Sequence, residues 1–212
     1  MSMNKNETRQ VEAMLQENSE GAPEDWDRIR SGFTKRAAKE GLIDVAYEIH
    51  ESPYGPLVIG ATGAGLVRVA LSVENEAAVL DDLARRISGR ILRADRPQIT
   101  KAREQLDQYF DGKRKKFRLK LDWQLAHGFR REVLAVTSAI PYGKTSSYSE
   151  VAVEAGSPKA VRAAGSALAT NPLPIVVPCH RVLKSDGQVG SYLGGSSMKK
   201  ELLEMEKARV SA

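Results

Sequence analysis

A cysteine followed directly by a histidine, near the C-terminal end of the chain, is the residue pair best suited to chemistry. It ends an apolar, proline-rich segment, Asn171-Pro172-Leu173-Pro174-Ile175-Val176-Val177-Pro178-Cys179-His180-Arg181-Val182. A thiol becomes a nucleophile when a neighbouring base or cation lowers its pKa from about 8.5, and His180 and Arg181 both adjoin Cys179. Cys179 is the only cysteine of the 212 residues, which excludes an internal disulfide and a zinc site built on several cysteines. A lone cysteine is commonly a small buried hydrophobe, so its neighbours favour the catalytic interpretation.

A third group should orient the imidazole, and Glu206 is the candidate. It lies on a helix predicted over residues 198–209, at helical spacing from Leu202 and Leu203, and therefore beside the apolar face. A glutamate at the edge of an amphipathic helix is also ordinary, so both interpretations stay open. The segment before Cys179 reads as a strand, in which adjacent side chains diverge, so His180 needs a sharp turn or a bound water to reach the thiol.

The residues before this segment predict a helix-turn-helix. A helix over residues 129–140 is followed by two shorter ones over residues 149–155 and 158–169, with Ser157 as N-cap and Pro158 as the first helical residue of the last. The second helix of such a pair commonly lies in a DNA groove, although many helical corners bind no nucleic acid. That helix carries mostly alanine, glycine and serine with Arg162 as its one long guanidinium. It suits either tight helix packing or a minor-groove probe that replaces an extruded base.

The first half of the chain predicts an α+β domain. Alternating apolar residues over 43–49, followed after turns by apolar runs over 57–59 and 66–71, indicate an antiparallel meander, and residues 76–87 and 100–110 have helical spacing. The basic run 113–116 is either a phosphate contact or a solvated linker, and residues 117–123 alternate like a half-buried strand. We therefore predict a polar extension over 1–40 with a helical hint at Val11–Leu15, an α+β domain over 41–122, and a helical domain over 123–212.

Charge is unevenly distributed along the chain. Residues 101–212 contain 19 basic and 11 acidic residues, whereas residues 1–40 contain 7 and 8 and residues 41–100 contain 6 and 8. The excess favours a polyanionic partner for the C-terminal half, and a solvated basic face is the alternative. No apolar run approaches the length of a membrane span or a signal peptide, so we expect an intracellular, cytoplasmic protein without a membrane partner.

The motif Pro178-Cys179-His180-Arg181-Val182 resembles that of the O6-alkylguanine-DNA alkyltransferases, also called methylated-DNA–protein-cysteine methyltransferases. The resemblance covers about residues 44–208. It extends to Ile140-Pro141-Tyr142-Gly143, Ser147-Tyr148, Val161-Arg162-Ala163, Asn171-Pro172, Gly190-Ser191-Tyr192-Leu193-Gly194-Gly195 and Leu202-Leu203. It implies a small ribonuclease H-like N-terminal domain and a mainly helical, winged-helix-like C-terminal domain. It also implies DNA repair, with base flipping and irreversible transfer of an alkyl group from O6-alkylguanine, and from O4-alkylthymine, to one protein cysteine.

The resemblance also implies a role for each matching residue. Cys179 would be the nucleophile, His180 its base through water, and Glu206 the group that orients His180. Asn171 would brace the active-site backbone, and Tyr148 would donate to the guanine and help rotate the nucleotide. Arg162 would fill the vacated stack. The DNA contacts would include Ser157, Lys159 and Ala163, and the guanine pocket would be lined by Pro174, Val182, Tyr192, Leu193 and Gly194.

Two positions depart from the family pattern. Leu193 stands where a small hydroxyl residue is frequent, so the O6 atom would be bonded by backbone N–H alone, and tolerance of bulky alkyl groups is open. The zinc of some relatives lacks its ligands here because no second cysteine exists and His50 and His127 stand alone. We expect no metal and no cofactor.

The resemblance leads us to expect a monomeric, single-turnover protein that binds double-stranded DNA containing O6-alkylguanine through the minor groove. It would associate with the nucleoid when bound. Two alternatives remain. The first is a lesion sensor like the alkyltransferase-like proteins, which carry another residue at the cysteine position. The second is a cysteine hydrolase that uses Cys179, His180 and Glu206 and turns over.

Overall fold

The computed structural model describes residues 40–207, together with residues 28, 29, 32, 34, 36 and 37. The chain divides into two compact units, Met1–Leu42 and Ile43–Ala212. In the first unit, the described residues from 28 to 37 are helical. The helical hint at Val11–Leu15 lies outside the described residues, and the helix predicted over residues 198–209 instead covers Gly195–Met205. The domain boundaries at residues 40 and 122 stay predictions.

The first half of the second unit contains a four-stranded sheet. Strands β1 (Val45–His50), β2 (Leu57–Ala61) and β3 (Leu66–Ala70) form an antiparallel meander, in which Glu48 pairs with Ile59 and Val58 with Ala70. A short strand β4 (Ile91–Arg93) adds to β1 in parallel, which gives the order β3-β2-β1-β4. The meander confirms the prediction from alternation and apolar runs, and β4 was not predicted.

Two helices accompany this sheet. Helix α1 (Glu76–Arg86) is capped by Asn75, whose Oδ1 accepts from the Ala78 N–H at 3.0 Å, and α2 (Pro97–Phe110) begins with a proline. The buried face of α2 carries Ile99, Ala102, Gln105, Leu106 and Tyr109 at helical spacing. One core cluster packs the sheet and α1 around Val45, Val58, Val67, Ala70, Val79, Leu83 and Leu125. The result is the α+β architecture expected for this half.

The second half is mainly helical. Its elements are α3 (Gly128–Ser138), β5 (Ser146–Ser147), α4 (Tyr148–Glu154), α5 (Val161–Ala169), a 3₁₀ turn (Cys179–Arg181), β6 (Val182–Leu183) and α6 (Gly195–Met205). Helices α3, α4 and α5 pack against one another, and β5 pairs with β6 in parallel. A capping box fixes the start of α4, because Ser147 Oγ accepts from the Glu150 N–H and Glu150 Oε2 accepts from the Ser147 N–H. In the part of the chain that the structure describes, no helix has the length and hydropathy needed to cross a membrane.

The prediction that Ser157 caps the second helix of the pair is wrong. Helix α5 begins at Val161, and its N-cap is Ala160, which makes no side-chain cap. The Ser157 N–H is committed to ending α4 through a bond to Ala152 O at 2.9 Å, and its carbonyl accepts from the Ala160 N–H at 2.9 Å. A further turn therefore separates the two helices.

Residues 117–123 do not form the predicted strand. The half-buried and exposed residues alternate as far as Leu121, but this segment makes only an isolated bridge, between Leu121 and Leu66. The chain crosses the start of β3 closely at Gly65, where a Cβ would lie 2.4 Å from Lys120 O. Further along β3, the Val69 N–H donates to Pro172 O at 2.9 Å, so the pairing of residues 117–123 with β3 stops at this one bridge.

The apolar segment before Cys179 is folded into turns, so its prediction as a strand is also wrong. The Val177 N–H donates to Leu173 O at 2.8 Å, and Ile175 has a φ of 72°. Prolines at 172, 174 and 178 lack the N–H groups that a ladder needs. A positive φ at a branched residue costs about 1–3 kcal/mol, and complete burial of Ile175 holds it in place.

Candidate active site

Cys179 lies at the start of the 3₁₀ turn, where Asn171 holds it. The Asn171 side chain donates from Nδ2 to Cys179 Sγ at 3.2 Å and to Val177 O at 2.9 Å, while its Oδ1 accepts from the Leu173 N–H at 3.0 Å. Both Asn171 and Cys179 are buried. One amide therefore fixes the turns before the cysteine and places a hydrogen-bond donor on its sulfur.

A positive charge that acts on the thiol comes from Lys199 on α6. Burial raises the pKa of the Cys179 thiol, while the Asn171 hydrogen bond and the Lys199 ammonium lower it. Lys199 is itself completely buried, donates from Nζ to Val182 O at 2.6 Å, and has a pKa lowered by burial to about 8. The expectation that Arg181 adjoins the thiol as its cation is wrong, because its guanidinium binds Glu206 instead.

His180 is completely buried and is oriented by Glu206. Its Nε2 lies 3.0 Å from Glu206 Oε1, and its Nδ1 is buried with no hydrogen-bond partner among the described residues. Burial lowers the pKa of His180, and the Glu206 carboxylate partly opposes this. The geometry fits a neutral imidazole that donates from Nε2 and has Nδ1 open as an acceptor.

Glu206 gathers hydrogen-bond donors from three parts of the chain. Arg181 donates to both carboxylate oxygens, from Nε at 2.9 Å and Nη2 at 2.8 Å, and Tyr109 donates to Oε1 at 2.6 Å. The Gly143 N–H adds a bond to Oε2 at 3.3 Å. Burial would raise the pKa of Glu206, but the bonds from His180, Arg181 and Tyr109 hold it at about 2.

A groove of about 690 Å³ lies between α4, α5 and the loop after β6. Its lining residues are Tyr148, Ser149, Val161, Arg162, Gly165, Ser166, Ala169, Lys184, Ser185, Asp186, Gly190 and Ser191. Small side chains on one face of α5 keep it open, and Arg162 is exposed at its edge. Gly190 admits the Tyr148 hydroxyl, because a Cβ there would lie 2.6 Å from Tyr148 Oη. The groove therefore brings Tyr148 and Arg162 together.

The other residues expected to contact DNA or the guanine lie outside this groove. Ser157, Lys159 and Ala163 do not line the groove, although Lys159 and Ala163 are exposed. Pro174 is buried within the turns, and the Val182 carbonyl accepts from Lys199.

The loop Tyr192–Gly194 lies at the start of α6. Tyr192 meets the His180 ring edge-on with centroids 6.3 Å apart. Leu193 instead lines a separate cavity of about 310 Å³, beside Asn171 and Pro172. Gly194 packs closely against Met198, whose Sδ would lie 2.3 Å from a Cβ at this position.

Sequence reasoning missed Tyr109 and Lys199, and it missed that Arg181 binds Glu206. Tyr109 reads as an ordinary core residue of α2. Lys199 carried a usable signal, since a lysine at helical spacing from Leu202 and Leu203 falls on an apolar face. The described residues contain no group of three or more His, Cys, Asp or Glu side chains placed to bind a metal ion, and His50 bonds to Asp107 at 2.7 Å.

Fold and site together define a two-part protein with a buried, hydrogen-bonded cysteine and a groove between two helices. Residues 45–123 match the protein-family model described as "6-O-methylguanine DNA methyltransferase, ribonuclease-like domain", and residues 128–208 match the DNA binding domain of the same name. The Methylated-DNA--protein-cysteine methyltransferase of Methanosarcina barkeri is 35% identical over 76% of this chain and 96% of its own length. The constitutive enzyme of Bacillus subtilis is 36% identical, over 76% and 94%.

Solved structures agree with these relatives. A crystal structure of Mycobacterium tuberculosis OGT in complex with DNA superimposes with a TM-score of 0.65 and 35% identity, over 79% of this chain and 96% of that one. The O6-methylguanine-DNA methyltransferase of Pyrococcus kodakaraensis gives a TM-score of 0.56 at 26% identity, over 76% and 98%. The chain belongs to the methylated-DNA–protein-cysteine methyltransferase family, with a ribonuclease-like N-terminal domain and a DNA-binding C-terminal domain. It repairs DNA by transferring an alkyl group to a cysteine.

Proposed function

We propose that Cys179 is the alkyl acceptor and that Asn171, His180 and Glu206 activate it. The supporting observation is a pair of buried contacts at neighbouring residues: His180 Nε2 lies 3.0 Å from Glu206 Oε1, and Asn171 Nδ2 donates to Cys179 Sγ at 3.2 Å. The thiol proton passes through an intervening water to His180 Nδ1, which is the open acceptor of the ring. Asn171 and the Lys199 charge stabilise the thiolate that remains.

The thiolate then attacks the alkyl carbon of O6-alkylguanine in a single displacement. A sulfur–carbon bond forms, the carbon–oxygen bond to O6 breaks, and the guanine leaves with the bonding electrons. Protonation of the departing base lowers the barrier, and the Tyr148 hydroxyl, which lies in the groove next to Gly190, is the donor we assign. Burial and the nearby Cys179 raise the pKa of Tyr148, so the phenol holds its proton at neutral pH. The thioether product is stable to water, so each protein molecule repairs one lesion.

The substrate is double-stranded DNA, and the lesion reaches the site by base flipping. The O6 atom of a stacked guanine is inaccessible to a buried sulfur, so the nucleotide must leave the helix. The slim face of α5 fits a minor groove, and the exposed Arg162 at its first turn can replace the extruded base. Lys184 on the opposite wall is placed to contact phosphate. The same displacement extends to O4-alkylthymine.

The proposal also covers the domain bounds, the oligomeric state and the cellular location. Residues 123–212 bind DNA and carry the reaction, residues 41–122 form the α+β domain, and residues 1–40 form an extension. We assign a monomer that acts in the cytoplasm and associates with the nucleoid while bound. Leu193 leaves the O6 atom to backbone donors, because its side chain offers none.

Replacing the acceptor while keeping the DNA groove tests the assignment. In Cys179→Ala, transfer of a radiolabelled methyl group from a duplex containing O6-methylguanine should disappear, because no other thiol exists. Binding to the same duplex should remain within about two-fold, since the groove residues are unchanged. Ser138→Ala, an exposed serine on α3 outside the groove, should leave both properties unaffected. Stoichiometric labelling of Cys179→Ala contradicts the proposal.

A further inference from the structure

One hydroxyl from the N-terminal half of the fold reaches the activating pair of the C-terminal half. Tyr109 lies on α2, within the residues that match the ribonuclease-like domain, and its side chain is completely buried. Its ring packs against those of Phe110, Phe117 and Tyr142, with centroids 5.6, 5.3 and 6.3 Å away. Its Oη lies 2.6 Å from Glu206 Oε1 and 3.4 Å from His180 Nε2. Aromatic packing alone does not require that hydroxyl.

The direction of this hydrogen bond affects the protonation of His180. A phenol has one proton, and at 2.6 Å the Tyr109 proton goes to the Glu206 carboxylate, which can only accept. The phenol oxygen then presents lone pairs to His180 Nε2, which suits an Nε2–H. If Tyr109 instead donated to Nε2, the imidazole proton would lie on Nδ1, and the ring would have no acceptor for the thiol proton.

We propose that Tyr109 is a positioning residue for alkyl transfer, which donates to Glu206 so that His180 stays neutral with its proton on Nε2 and Nδ1 open. This inference rests on the proposed role of His180 as the base. It also gives the N-terminal domain a specific part in the chemistry, through one side chain of α2. Burial and the Glu206 charge raise the pKa of Tyr109, so the phenol remains a donor throughout the working pH range.

The charge balance around His180 gives the sign of the effect. The charged or titratable groups that bear on the ring are Glu206, Arg181, Lys199, Tyr109 and Tyr192, with Cys179 next in sequence. Removing the Tyr109 hydroxyl leaves Glu206 with one donor fewer, so its negative charge acts more strongly on His180. The imidazolium form becomes more favourable, and the neutral base is lost at a higher pH.

Single-turnover transfer measured as a function of pH tests this inference. We expect the acid limb of the rate profile of Tyr109→Phe to lie about one pH unit above that of the wild type. The variant should therefore be about ten-fold slower at pH values well below the wild-type midpoint and approach the wild-type rate at high pH. Tyr142→Phe is the matched control, because it removes a neighbouring tyrosine hydroxyl that donates to Met205 O at 3.1 Å and not to Glu206. Its midpoint should stay at the wild-type value.

A second readout does not depend on the rate. Nitrogen-15 NMR of labelled histidine should give the Nε2–H tautomer for His180 in the wild type and a raised imidazole midpoint in Tyr109→Phe. If Tyr109→Phe does not fold, 3,5-difluorotyrosine at position 109 keeps the ring and strengthens the donor, and the midpoint should move down.

Three results overturn the inference: a loss that is equal at every pH, an unmoved midpoint, or an Nδ1–H tautomer in the wild type. A wild type that places no methyl group on Cys179 contradicts the proposed function instead, before any variant is compared.

Discussion

Replacing Glu206 by glutamine probes the buried charge on which the site is built. The carboxylate accepts bonds from Tyr109, His180, Gly143 and, twice, Arg181. A glutamine amide offers only one oxygen. Its NH₂ group would take the place of the second oxygen and face N–H or O–H donors, with which it cannot form a hydrogen bond. Arg181, which is only 5% exposed, would lose its counter-ion. Removing one partner of a buried ion pair costs about 3–5 kcal/mol, a large part of the roughly 5–15 kcal/mol that stabilises a typical protein.

The pH dependence gives this prediction a second, independent part. The pKa of Glu206 is lowered on folding from 4.5 to about 2, so its contribution to stability is fully present above pH 4.5. It is lost as the pH falls from 4.5 through 2, and the difference in pKa corresponds to about 3 kcal/mol. The gap in unfolding free energy between wild type and Glu206→Gln should therefore be widest near neutral pH and narrow below pH 4.5.

Urea unfolding at several pH values measures this gap. Glu204→Gln is the matched control, because it removes an exposed carboxylate from the last turn of the same helix and should change the unfolding free energy by less than about 0.5 kcal/mol. The reasoning is refuted if Glu206→Gln and Glu204→Gln have the same unfolding free energy at neutral pH, or if the gap widens on acidification.

Three further predictions concern DNA and substrate. Arg162→Ala should slow repair of duplex DNA by at least about ten-fold more than reaction with the free O6-alkylguanine base, because only the duplex needs base extrusion; equal losses in both rate assays count against the extrusion role. Leu193→Ser should leave the rate of transfer from free O6-benzylguanine within about two-fold of the wild-type rate, since the Leu193 side chain lines the separate cavity beside Asn171 and Pro172; a change of about ten-fold would place this side chain in the guanine pocket. The association constant for DNA should fall steeply between about 50 and 200 mM salt if the basic C-terminal half meets phosphates; a flat response contradicts that contact.

Local patterns predicted most of the elements. Alternation and short apolar runs predicted the β1–β3 meander, and the sequence patterns predicted all six helices of the second unit, with starts displaced by up to three residues and ends by up to four. Strand β4 was not predicted, because three residues are too few to show a pattern. Its partner in β1 also lies 46 positions earlier in the chain. The turns before Cys179 were misread because a buried apolar run looks alike in a strand and in a series of turns. The prolines were the signal that should have decided it.

The candidate site was predictable for residues that lie within short sequence motifs. Cys179 and His180 are adjacent, and Asn171 and Glu206 lie on short segments that match the family motif. Tyr109 and Lys199 act through contacts across 97 and 17 positions, with Glu206 Oε1 and Val182 O. No local periodicity distinguishes such a tyrosine from its core neighbours Ala102 and Leu106 on α2. Its hydroxyl has a defined partner only after the two halves of the fold have packed.

Intact-protein mass spectrometry after incubation with a duplex containing one O6-methylguanine tests the central claim most directly. We expect a gain of one methyl group per protein molecule, which saturates with excess substrate and maps to the peptide that bears Cys179. An unchanged mass despite tight binding to the lesion, or continued turnover of substrate without modification, would contradict the account.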